Sequence, residues 1–571
     1  MRILFLTHTF NSLTQRLYCE LSERGHLVSI EFDIADPVAE EAVALFKPDL
    51  IVAPYLRRAI PASIWTQHTC LIVHPGIVGD RGPSALDWAI QEQEPEWGVT
   101  VLQAEAEMDA GPIWAEECFP LRVAKKSSLY RNEVTEAATR GVLKAVAAFA
   151  AGTFVPTPLD YENPAVQGRL RPLMKQAERA IDWSRDTTAT VLAKINAADG
   201  FPGVADALFG TPCHLFDACA ESVLKGAPGE LIARRETALC RATVDGAVWI
   251  GHVKRGDSVH PFKLPATLAF ADEAAALPEA TLDGWWAQQH DTWQDIRYEE
   301  AQHVGFLHFD FTNGAMGTQQ CARLLAAYRW AQTRPTKVIV LMGGRDFWSN
   351  GVHLNLIEAA ESPADESWAN INAIDDLAEA IIRTESHLTI AAVQGNTGAG
   401  GCFLARAADF VWMRDGALMN PHYKNMGNLY GSEYWTYLLP PRVGDEGARA
   451  IMQNRLPLTA KAGVANGFID ACLASDIDAF RVDVARRAAE LANDPGLGLR
   501  LDAKRGKRAA DEAAKPLAQY RTEELDQMRR NFYGFDPSYH VARFHFVLKS
   551  PQSWTPRHLA KHRDLDWVVP A

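Results

Sequence analysis

Short apolar runs alternate with helix-period stretches twice along this chain, once over its first 115 residues and again beyond position 304. That βαβ rhythm requires a parallel sheet covered by helices, and its double occurrence restricts the fold to a multidomain α/β architecture. At 571 residues the chain also exceeds what one hydrophobic core can organise, so three or four domains are expected. In the first unit, Arg2–Leu6, His26–Phe32, Leu50–Val52 and Cys70–Val73 read as strands, and Ser12–Arg24 and Pro37–Phe46 as helices. Lys125–Ala151 reads as a long helix closing a domain placed at 1–155.

Prolines cluster between Gly152 and Arg169, the composition of a linker. From Ala180 to Val253 short strands separated by Gly and Pro, such as Gly229–Ile232 and Ala247–Ile250, indicate a small β-rich, barrel-like domain placed at 165–270. An Ala- and Asp-rich connector is placed at 271–300. The second α/β domain, 301–475, carries strands at Val304–Phe309, Val338–Leu341 and Leu388–Val393. A charged helical extension fills 476–571, its basic run read as a solvated face.

Charge narrows the partners. With 57 basic and 71 acidic residues the formal net charge is -14, which favours neither nucleic acid nor an anionic membrane, so neither is expected as a partner. The nine cysteines form no CxxC pair and no zinc-type spacing, so no metal site is expected, and reduced thiols point to the cytoplasm. MRILFLTHTF reads as a first buried strand rather than a signal peptide, and no run has the length to span a bilayer.

The strand at Cys70–Val73 delivers His74 to its carboxyl end, where open α/β sheets place ligands. A glycine-containing loop from Gly76 to Ser84 follows, then the strand Trp97–Val101 and a tight turn at Met108–Ile113 that presents Asp109. An imidazole and a carboxylate converging on one crevice form a general acid/base pair. Ile72-Val73-His74, Gly82-Pro83-Ser84, Gly98-Val99-Thr100 and Asp109-Ala110-Gly111 together resemble the signature of the folate-dependent formyltransferases. Ala180–Trp183 and Gly200–Val204 extend that resemblance to the C-terminal domain of methionyl-tRNA formyltransferase, over roughly residues 1–265. The resemblance implies 10-formyltetrahydrofolate as formyl donor, bound beside Gly82, Pro83 and Ser84, with His74 and Asp109 as catalytic residues. It departs at Ile72, where the family carries a catalytic Asn. A thiol acceptor needs less assistance than an amine, because thiolate is intrinsically a strong nucleophile.

Two further glycine turns, Gly343–Val352 and Gln394–Cys402, each follow a strand and open a helix. Such turns can aim two backbone N–H groups at one carbonyl oxygen, as a thioester oxyanion requires. Over about residues 300–475 these segments resemble the crotonase (enoyl-CoA hydratase/isomerase) superfamily, a ββα-spiral fold. The resemblance implies oxyanion amides at Val352 and Gly400, and coenzyme A bound at a loop carrying Asn313. It departs where a hydratase carries its two glutamates, which fall on Phe403 and near His422. Tyr423 and Glu433 supply a phenol and an acid in the adjacent segment, with Glu433 read as base and Tyr423 sharing the proton. Arg16, Arg131 and Arg543 are the candidate cations for the CoA phosphates.

The order of the halves resembles a family of maturation factors for nickel–iron hydrogenases. That implies formyl transfer from 10-formyltetrahydrofolate to CoA, and decarbonylation of formyl-CoA to carbon monoxide and CoA. It also implies transient contact with a hydrogenase large-subunit precursor or its maturation proteins. Two other readings stay open on the residues: a methionyl-tRNA or sugar formyltransferase with a crotonase passenger, and a non-catalytic scaffold binding folate and CoA.

Overall fold

The computed structural model describes residues 1–564. The first sheet runs, in spatial order, through Leu27–Phe32, Arg2–Thr7, Leu50–Ala53, Cys70–His74, Glu96–Gln103 and Ile113–Pro120. The first four strands are parallel and the last two antiparallel. Fully buried runs such as Leu50–Ala53 show why: a parallel strand covered on both faces has no polar alternation. The expected helix at Lys125–Ala151 is interrupted. Lys126–Leu129 and Thr135–Ala151 are α-helical, but Tyr130–Val134 between them is a π-turn that carries Arg131.

The middle unit is an open sheet, which corrects the barrel expectation. Its five main strands, all antiparallel, are ordered Val204–Leu208, Thr211–Glu221, Ala247–Arg255, Ala238–Ala242 and Leu231–Arg235. The two outer strands do not pair with each other. Closure is unnecessary because the helix Thr188–Ala198 lays Val191, Ile195 and Ala198 against the sheet, covering the face a barrel would turn inward.

Beyond it a six-stranded sheet runs through Ile296–Ala301, Val304–Phe309, Val338–Leu341, Leu388–Val393, Phe410–Arg414 and Ala471–Leu473. A second layer pairs Phe347–Ser349, Asn396–Gly398, Leu418–Asn420 and Leu458–Thr459. The first of these strands lies at the end of the expected connector. Ile296 and Tyr298 point inward while Glu299 to Ala301 are exposed, so an edge strand hides in a polar stretch. The charged C-terminal helices are more than a solvated surface. Leu517, Leu525, Met528, Phe532 and Tyr539 share one core with Phe403, Tyr423 and Tyr434.

Candidate functional sites

His74 ends its strand nearly buried, at 5% exposure. Its Nδ1 lies 3.7 Å from Asp109 Oδ2. Its Nε2 meets a second carboxylate, Asp80 Oδ1, at 3.0 Å. Asp80 sits in the glycine loop, which turns so tightly that a β-carbon at Gly76 would collide with both the imidazole and Asp80. The interdomain linker pins that loop: Gly168 N–H donates to Val78 O at 3.1 Å, and Arg171 N–H to Arg81 O at 2.9 Å. The Arg171 guanidinium Nε also lies 3.5 Å from Asp80 Oδ2. Asp109 adopts a left-handed φ of 55° and accepts the Gly82 N–H at 3.2 Å. Of the three residues expected beside folate, Gly82 therefore belongs to this constellation and Pro83 is exposed next to it. Ser84 turns inward, and its Oγ accepts the Met174 N–H at 3.1 Å.

The second site surrounds Gly400, the first residue of the helix Gly400–Arg406, whose N–H is one of those a helix leaves without an internal partner. A β-carbon at Gly351 would lie 3.2 Å from Gly400 N, so the Gly351–Val352 turn reaches the same place. A β-carbon on Gly400 itself would collide with the Glu433 carboxyl. Glu433 is 1% exposed and accepts the Tyr423 hydroxyl at 2.5 Å. Burial, reinforced by the charge of Asp375, pushes its carboxyl up to about 8. Phe403 stacks on Tyr423, ring centroids 5.9 Å apart, in the packed interior. His422 is buried as well, which holds its imidazole down to about 4.

Where the two halves of the chain meet, Arg131 Nη2 donates to Asn313 Oδ1 at 3.1 Å. The guanidinium also covers the Phe347 ring at 4.7 Å and approaches Asp346 at 3.6 Å. Two residues picked from opposite halves thus meet. Lys263 and Lys549 lie within electrostatic reach of Arg131, and burial plus these like charges lowers both ammonium groups. Neither lysine belongs to a motif, and only the meeting of three parts of the chain reveals them. Arg16 and Arg543 do not join the cluster. Arg16 is buried against Glu20 at 2.8 Å and Glu136 at 3.6 Å. Arg543 is buried with Glu358 at 2.7 Å and His540 at 2.9 Å. Both were expected to be exposed and are buried: Arg16 is held by Glu20 one turn along its own helix and by Glu136, and Arg543 by the distant Glu358.

Three family models match: Formyl transferase over residues 28–146, Formyl transferase, C-terminal domain over 173–260, and Enoyl-CoA hydratase/isomerase over 312–541. A methionyl-tRNA formyltransferase of Roseiflexus castenholzii is 30% identical over 223 residues, 37% of this chain and 68% of that protein. The Hydrogenase maturation factor HoxX of Bradyrhizobium diazoefficiens is 55% identical over 563 residues, 99% of this chain and 97% of that one. The crystal structure of HypX from Aquifex aeolicus in complex with tetrahydrofolic acid superposes with a TM-score of 0.96 at 47% identity, covering 100% of both chains. Formyltransferase and crotonase parts mark the chain as an enzyme, and it belongs to the HypX/HoxX family of hydrogenase maturation factors.

Proposed function

We propose that this protein moves a formyl group from 10-formyltetrahydrofolate to the thiol of CoA and then splits formyl-CoA into carbon monoxide and CoA. The observation that carries the reading is Glu433, a protonatable carboxyl beside the Gly400 amide with no second hydratase acid, in a chain that also holds the His74 site. In the first half, His74 accepts the thiol proton as sulfur attacks the formyl carbon. The carbon–N10 bond then breaks, and the proton returns to N10 to leave tetrahydrofolate. Binding of tetrahydrofolic acid by the Aquifex relative supports the folate assignment.

In the second half the Val352 and Gly400 amides would hold the formyl oxygen. Formyl-CoA has no α-carbon, so no enolate can form. Glu433 takes the formyl hydrogen as a proton, the carbon–sulfur electron pair goes to sulfur, and carbon monoxide departs. Glu433 then returns the proton to the thiolate, with Tyr423 steadying the carboxylate between the two transfers. Arg131, Asn313, Lys263 and Lys549 would hold the CoA phosphates at the seam, and Phe347 offers a ring beside them. The product would supply a hydrogenase large-subunit precursor or its maturation proteins in the cytoplasm. Among the described residues no helix is long and apolar enough to cross a membrane.

The test is detection of carbon monoxide from purified protein given 10-formyltetrahydrofolate and CoA. Gas evolution that depends on both substrates, and is lost on Glu433→Gln, is the expected result. Formyl-methionyl-tRNA without carbon monoxide would select the tRNA formyltransferase reading, and no turnover of any kind the scaffold.

A further inference from the structure

Glu433 stands in an unusual piece of backbone. Gly431, Glu433 and Tyr434 have φ of 94°, 58° and 60°, so two successive side-chain-bearing residues occupy the left-handed region. Such a turn persists only where its surroundings over-determine it. Two buried carboxyl groups from distant helices do so here. Asp375, on the helix Pro363–Ile382, accepts the Glu433 N–H at 2.8 Å and the Ser432 hydroxyl at 2.9 and 2.7 Å. Glu524, on the helix Leu517–Tyr533, accepts the Tyr434 N–H at 2.9 Å and the Thr436 N–H at 2.8 Å.

These contacts fix where the Glu433 carboxyl points, and they also set what surrounds it electrically. The groups facing it are the Tyr423 phenol, the thiols of Cys321 and Cys402, Asp375 and Glu524. Among the described residues the one cation close by, Arg521, lies behind Asp375, its Nε 3.9 Å from Oδ2, and is shared with Asp376 at 2.7 Å and Glu379 at 3.4 Å. Asp375 is therefore the acid of the group best equipped to carry charge: it accepts from the Glu433 N–H and the Ser432 hydroxyl and also faces a guanidinium. Glu433 faces no cation at all among the described residues.

We propose that Asp375 is a positioning residue for Glu433, holding its left-handed backbone by hydrogen bonds while its negative charge makes the neighbouring carboxyl a stronger base. The inference rests on the decarbonylation reading and deepens it: the strength of the base comes from a paired acid outside the substrate pocket. A nearby anion opposes ionisation of Glu433, so burial and Asp375 act in the same direction on it. Asp375 itself is raised to about 6 by burial, held from rising further by Ser432 and Arg521.

The experiment follows Asp375→Asn, which keeps an acceptor oxygen for the turn but removes the charge, beside Ser432→Ala, which removes a hydrogen bond and leaves the charge. With synthetic formyl-CoA, Asp375→Asn should shift the acid limb of the kcat profile down by about one pH unit and lower the plateau about 3- to 10-fold, as a weaker base requires. KM should stay unchanged, and Ser432→Ala should leave the limb in place. Superimposable limbs for wild type and Asp375→Asn, or a limb moved equally by Ser432→Ala, would overturn the proposal. An activity-free readout separates it from the function it rests on: the infrared carboxylic-acid band lost in Glu433→Gln should persist to near pH 8 in wild type and vanish at lower pH in Asp375→Asn. Wild-type protein lacking carbon monoxide output would remove the decarbonylation reading, and the infrared titration would still judge Asp375. Should Asp375→Asn not fold, the wild-type titration decides, because a Glu433 band already gone by pH 6 contradicts it.

Discussion

His74 is held from both ring nitrogens, and the two carboxylates are not equivalent. Asp80 is fully buried and within hydrogen-bond distance of Nε2, whereas Asp109 is partly open and 3.7 Å from Nδ1. The short contact fixes the tautomer: with its proton on Nε2 facing Asp80, the ring presents Nδ1 to the crevice. Asp80→Asn should therefore lower formyl transfer to CoA by about 10- to 100-fold, while tetrahydrofolate binding measured by calorimetry stays within about 2-fold, since the asparagine leaves the loop intact. Equal losses in binding and transfer would show instead that Asp80 only shapes the loop. The strand, His74, Asp109 and the glycine loop were readable because each is a local pattern of residues close in sequence. Asp80 lies six residues from His74 and still escaped, since a loop conveys no periodicity from which to infer a side chain's direction. Asp375 and Glu524 were beyond reach for another reason: helices far along the chain supply them, and in sequence they look like ordinary surface acids.

At the scale of elements, the π-turn Tyr130–Val134 is the feature that connects the halves. A straight α-helix was the natural reading of Lys125–Ala151, but the extra residue in one turn redirects Arg131 toward the loop Thr312–Gly314. There Asn313 tolerates the left-handed φ of 58° that lets its side chain meet the guanidinium. Both residues stood out in the sequence, one from a basic run and one from family resemblance, yet nothing local announced that they touch. Arg131→Ala should raise the KM for CoA in formyl transfer and for formyl-CoA in decarbonylation, each about 10-fold, the worth of one charge-assisted hydrogen bond. A matching rise in both half-reactions is the informative outcome, because it places the same cation on CoA in both. An effect on one alone would mean separate CoA sites. The salt dependence of KM should also weaken in the variant.

For the whole molecule, the same logic of distant partners explains how the ends of the chain are tied. The stretch Thr555–Arg563 returns from the C-terminal helices to the outer strand of the first sheet, where Ile30 N–H donates to Leu559 O at 3.0 Å. An exposed parallel edge strand would otherwise be free to pair with another chain. Glu31 is the anchor: buried, it receives His562 Nε2 at 2.9 Å, Arg563 Nη2 at 2.7 Å and the Thr555 hydroxyl. Burial alone would raise its carboxyl, but the hydrogen bonds from these three residues outweigh burial and hold it below the usual range. A depressed carboxylate contributes stability that is fully present above its unfolded value near about 4.3 and is lost as pH falls through the folded value. Glu31→Gln should thus loosen the tail at pH 7 by about 1–3 kcal/mol, read as faster limited proteolysis between positions 548 and 558. On acidification toward pH 3 the wild-type rate should rise to meet that of the variant, whose own rate stays nearly flat. If wild type kept its advantage at pH 3, the tail would be held by packing of Leu559 and its neighbours, and the ion pair would be incidental.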